Sequence, residues 1–144
     1  MMRATRRRGT ILLHWLVTLA LILMMSDGAR FAWLLWGFVL ACLGFAAVGL
    51  VFGLMTRPGP KLTGIIRAAH PWLHRAMYWL MAGTALVVAA DALGYATPGV
   101  TGALAQMVLF SAASLHAIYH LWRHTALRDN ALRIITPRAL HRYL

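Results

Sequence analysis

The sequence predicts an all-α integral membrane protein, a four-helix bundle with both termini in the cytoplasm and a short cytoplasmic amphipathic tail. Three observations carry this. Of 144 residues, 61% are hydrophobic and only 12% charged, a balance too apolar for a water-soluble domain. The apolar residues form four continuous runs, each close to the ~20 residues a helix needs to cross the hydrocarbon core. They lack the period-2 alternation of barrel strands, and basic residues gather at alternate run ends.

The first span is expected at about 9–25, preceded by Arg3, Arg6, Arg7 and Arg8. That layout imitates a signal peptide. His14 and Trp15 interrupt the run, however, and Ser26-Asp27-Gly28-Ala-Arg30 is a poor cleavage site, so the helix is expected to be retained. The second span, about 31–55, is stopped by Thr56-Arg57-Pro58-Gly59-Pro60, because proline cannot continue a helical ladder. The third is expected to start near Pro71, at a first helical turn, and to run to about 92. The fourth, about 101–122, follows the turn Gly94-Tyr-Ala-Thr-Pro-Gly99, and a basic tail runs from Arg123 to Leu144. The whole chain, 1–144, reads as one domain.

A net charge of +11 could suggest a nucleic-acid partner. Its distribution argues otherwise. Thirteen of the fourteen Lys and Arg residues lie in the N-terminus, the 56–75 segment and the tail, and only Arg30 lies in the other two loops. By the positive-inside rule, that charge sets topology and places those segments in the cytoplasm. Lipids are the expected partner, and nucleic acid is not. Cys42, the single cysteine, excludes an internal disulfide and a cysteine metal cluster. Gly37, Gly44 and the motif Gly49-Leu-Val-Phe-Gly53 make the second span rich in small residues, fit for close helix packing or for a flat cofactor beside the backbone.

Seven histidines in so apolar a chain are the informative feature. An ionisable side chain within a span is costly and usually faces the bundle interior with a partner. His14 and His116 sit at matched depth from the same membrane face, about 10 Å in at 1.5 Å per residue. Two such imidazoles could clamp one haem iron from opposite sides. Out of water an imidazole is held neutral, the form that ligates metal, and bis-His iron suits electron transfer. His120 lies one turn after His116, and His70 and His74 form a second i, i+4 pair. These three are either interfacial histidines, quinone contacts or alternative ligands. A zinc site from His70, His74 and His120 is disfavoured, with Asp129 the sole nearby carboxylate. Arg75 and Arg123 are either membrane anchors or partners for haem propionates.

Three segments resemble the bacterial cytochrome b561 family of four-helix inner-membrane haem proteins. Ile11-Leu-Leu-His14-Trp15-Leu-Val17 is similar to its opening helix. Leu62-Thr63-Gly64 with His74-x-x-x-Tyr78 resembles its third helix. Leu115-His116-Ala117 followed by Asp129-Asn130-Ala-Leu-Arg133 and Pro137-Arg138 resembles its ending. The resemblance implies that His14 and His116 ligate a cytoplasmic haem b, and that a ubiquinone lies near His74. It also implies a loss. Where the family holds a second, outer haem, this chain has Leu35 or Trp36 and Gly102, so one haem is expected. The turn between the third and fourth spans is also shorter than in family members with superoxide:quinone activity.

The expected function is therefore a single-haem membrane cytochrome that exchanges electrons with quinone. An accessory subunit of a larger respiratory or photosynthetic membrane complex, with haem retained or lost, is the alternative. Whether the chain is an enzyme or an electron carrier stays open at this stage. A transporter is disfavoured, because the spans lack acidic residues apart from Asp91 at an end.

Overall fold

The computed structural model describes residues 2–55 and 57–143, with side chains for all but 2–5 and 138. Thr56 and the side chains of Arg3 and Arg138, which entered the sequence reading, lie outside the described residues. Five α-helices follow one another: α1 (Met2–Met25), α2 (Ala32–Phe52), α3 (Gly64–Ala92), α4 (Gly102–Thr125) and the short α5 (Ala131–Ile135). A single 3-10 turn occupies Gly28–Arg30, and a two-turn 3-10 helix occupies Arg138–Tyr143. Four of these helices are long and apolar enough to cross a membrane, with mean hydropathy 1.7, 2.4, 1.2 and 1.3 along the chain. The protein is thus a multi-pass membrane bundle.

Consecutive helices pack as antiparallel neighbours, α1 on α2, α2 on α3 and α3 on α4, while α1 and α4 meet along a much shorter stretch. The bundle is closed on three sides and loose on the fourth. Its apolar core gathers at one end, where Met24 of α1, Leu34 and Phe38 of α2, Ala85 and Val88 of α3 and Leu109 of α4 are buried together. Here the connections are tight. The backbone N–H of Gly102 donates to the Asp91 carboxylate across the α3–α4 turn, and Thr101 caps α4 by accepting from the Leu104 N–H at 3.2 Å. On the α2–α3 face, Gly49 lies against the Tyr78 ring so closely that a Cβ there would come within 2.8 Å of it. The small-residue motif serves helix packing at this point.

α3 departs from the sequence expectation. It begins at Gly64, seven residues before Pro71, which lies inside the helix. Proline removes one N–H from the ladder, yet the added first turns have their own supports. Ala68 and Ala69 favour helix, Leu62 is buried before it, and the Arg67 guanidinium donates to the carbonyls of Gly59 at 3.2 Å and Leu62 at 3.4 Å.

The tail also differs from a free amphipathic segment. Trp15 Nε1 donates to the Ile135 carbonyl at 2.9 Å, and Arg7 donates to the Arg133 carbonyl at 3.1 Å. α5 therefore crosses from α4 to α1 and covers the loose side of the bundle at its basic end.

Candidate haem and metal site

The loose side encloses a cavity of about 520 Å³, within the range typical of cofactor sites. Its wall is drawn from α1 (His14, Val17, Leu21), α3 (His74, Met77, Tyr78), α4 (Leu109, His116, His120) and the tail (Leu132, Ile135), with Phe45 from α2. Four of the seven histidines face one largely apolar space.

Spacing explains the convergence. His116 and His120 lie one turn apart on α4, and His70 and His74 one turn apart on α3, so antiparallel packing brings the two pairs together. His74 Nε2 and His120 Nε2 are 3.2 Å apart. The His116 ring stands 5.0 Å from that of His74 and 4.6 Å from that of His120. One ring nitrogen from each of His74, His116 and His120 lies within 4.8 Å of the others. His70, fully buried, lies one layer behind and hydrogen-bonds through Nδ1 to the Tyr119 hydroxyl at 3.0 Å.

The hydrogen bonds assign one tautomer. His74 Nδ1 is 2.8 Å from the His70 carbonyl, which can only accept, so Nδ1 carries the proton. A neutral His74 then presents the Nε2 lone pair to His120. His14 approaches from the opposite wall. Its ring stands edge-on to Trp15 and Phe45 at 5.9 and 6.1 Å, and its Nδ1 is sealed with no hydrogen-bond partner among the described residues.

Arg123 and Asp129 form a second constellation below the histidines. Their side chains are 1% and 0% exposed and 2.6 Å apart, and Arg123 Nε adds a bond of 2.7 Å to the same oxygen. The neighbours Arg128 and Asn130 take positive φ, 49° and 59°, to turn Asp129 inward, a conformation costly for arginine. Gly59 of the α2–α3 loop seals the pair from above. A Cβ on it would come within 2.8 Å of the guanidinium.

The structure thus brings His14, His74, His116 and His120 to one cavity and leaves Arg75 and Arg123 out of its wall. Arg75 lies on the Trp72 ring at 5.0 Å, and Arg123 is committed to Asp129. The zinc trio of the sequence reading is rearranged: His116 takes the place of His70 beside His74 and His120. Sequence reasoning missed the Trp15 bond to the tail, the Tyr119 bond to His70, and the entry of Leu132 and Ile135 into the cavity wall. The 120-residue separation of Trp15 and Ile135 left no local signal. No protein family, curated protein or solved structure matches this chain.

Proposed function

We propose that this chain is a b-type cytochrome of a bacterial inner membrane, its basic end in the cytoplasm, holding one haem between His14 and His116 and exchanging electrons with a quinone. The observation that carries the reading is that these two imidazoles, from the two helices that pack most loosely, line the same apolar cavity. The donor set fits the group. Each ring has one nitrogen to offer to iron, and His14 has a sealed Nδ1 with no partner among the described residues. His14 lies six residues after Arg8 and His116 seven before Arg123, so both enter from the basic end at similar depth.

Bound haem would supply one-electron ferric–ferrous chemistry. The protein's own residues do the rest. His14 and His116 would hold the iron, Val17, Leu21 and Leu109 line the cavity with apolar surface that would exclude water, and α5 covers the opening with Leu132 and Ile135. Quinone carbonyls need a hydrogen-bond donor, and His120 on the same wall, whose Nδ1 has no partner among the described residues, offers an N–H when its proton is on that nitrogen. The α1–α2 and α3–α4 turns are short, which leaves little surface for a soluble donor on the opposite side. This favours a donor that arrives within the membrane, whether a quinol or a neighbouring subunit of a larger electron-transfer complex.

Protein purified in mild detergent is expected to give a sharp α-band in its reduced-minus-oxidised spectrum, at one haem per chain. His14→Ala and His116→Ala should each abolish the band. A pigment unaffected by either change, or two haems per chain, overturns the proposal.

A further inference from the structure

We propose that His74, His116 and His120 form a site for a late first-row transition-metal ion, Zn²⁺ or Cu²⁺, distinct from the His14–His116 pair and competing with it for His116. Three observations carry this site, and none depends on the haem reading.

The first is distance. Metal–nitrogen bonds of 2.0–2.1 Å at tetrahedral angles put neighbouring ligand nitrogens about 3.3–3.4 Å apart. His74 Nε2 and His120 Nε2 already stand 3.2 Å apart. His116 offers a third nitrogen within 4.8 Å of both, and a ring rotation toward them closes the set.

The second is orientation. A metal-bound histidine almost always donates its other ring N–H to a carbonyl or carboxylate, which fixes the tautomer and aims the lone pair. His74 has this partner in the His70 carbonyl at 2.8 Å. Its Nε2 therefore points a lone pair at His120.

The third is the state of His120. It is 3% exposed, its Nδ1 has no partner among the described residues, and its Nε2 faces His74. If the proton is on Nδ1, two lone pairs oppose each other at Nε2, an arrangement that a cation between them resolves.

Three neutral imidazoles suit zinc or copper and are poor ligands for Mg²⁺ or Ca²⁺, which require oxygen. His116 lines the cavity as well as the trio, so the fourth position opens toward the cavity and leaves room for water or a small anion. Because His116 cannot serve both groups, metal and haem are alternative occupants.

The test uses the full chain in detergent, titrated with Co²⁺ as a spectroscopic stand-in and with Zn²⁺ by equilibrium dialysis and metal analysis. One Zn²⁺ per chain and the intense visible absorption of four-coordinate Co²⁺ are expected from the wild-type protein alone, whatever the variants' folding. His120→Gln and His74→Gln should each weaken binding by more than the roughly 10- to 100-fold typical of losing an outer-shell partner. His14→Ala should leave metal binding in place, and added haemin should lower Zn²⁺ occupancy of the wild type. Stoichiometry far below one, or weak six-coordinate Co²⁺ absorption, overturns the proposal and leaves an imidazole–imidazole hydrogen bond only. A wild-type chain that takes Zn²⁺ but never haem upholds this site and defeats the cytochrome reading.

Discussion

The two ends of the bundle are built on opposite principles. At the end formed by the α1–α2 and α3–α4 turns, Phe38, Ala85 and Leu109 are buried to 1% exposure or less, with Met24, Leu34 and Val88 around them, and the connections are tight. At the basic end, four histidines surround a cavity, and a sealed Arg123–Asp129 pair and a folded-back tail hold the walls. One end is held mainly by van der Waals packing, with hydrogen bonds confined to its turns. The other depends on hydrogen bonds and one ion pair, and so can remain hollow. In lipid there is little hydrophobic drive between helices, so packing and polar contacts must hold them. Dividing these between the two ends lets a void persist without opening the whole bundle.

If that division is correct, the largest loss should come from Asp129→Ala. It strands a buried guanidinium, for a cost of about 3–5 kcal/mol, read by unfolding in denaturing detergent with circular dichroism. The double variant Arg123→Met with Asp129→Leu should recover most of it, because the penalty lies in the unpaired charge. Failure of the double variant to recover would mean that the pair also shapes the 57–63 loop above it.

Next comes Phe38→Ala at the tight end. Lipid removes the transfer part of the usual core penalty and leaves the cavity part, so a loss of about 1–3 kcal/mol is expected. Phe110→Ala at the cavity wall, already 40% exposed, should cost clearly less in the same assay. Equal losses would break the comparison.

Gly49→Ala tests the seam where the ends meet. Its Cβ would press on the Tyr78 ring, and overpacking of this kind costs about 1–3 kcal/mol; Gly44→Ala, with open space at its Cβ, should be near neutral. The smallest effect should come from Trp15→Phe, which deletes the bond to Ile135, about 0.5–1.5 kcal/mol. Its clearest readout is faster proteolysis within 128–143.

Much of the site was legible in the sequence, for a reason specific to membranes. A histidine inside an apolar run is too costly to face lipid, so His14 and His116 mark the bundle interior without any knowledge of packing. The i, i+4 spacing of His70 with His74 and of His116 with His120 likewise sets each pair on one helix face. Which pairs would meet was not legible. The choice of His116 over His70 as third member of the trio depends on the relative rotation of α3 and α4, and that is set by contacts between those helices, such as the Thr84 hydroxyl donating to the Ala105 carbonyl at 3.3 Å. The start of α3 was misplaced because Pro71 dominates a local reading, whereas Arg67 and the 59–62 carbonyls, which support the earlier turns, act across a loop.

By itself the amino-acid sequence determined that there are four membrane-length helices, where they stop, and which of their residues are too polar for lipid. These follow from transfer free energies, which each residue carries with it. Tertiary structure alone decided that α1 and α4 stay apart to leave a cavity, that the tail bridges them, and that Arg123 is consumed by Asp129. Those features arise from contacts between residues far apart in the chain, and their energies exist only once the helices have taken their places.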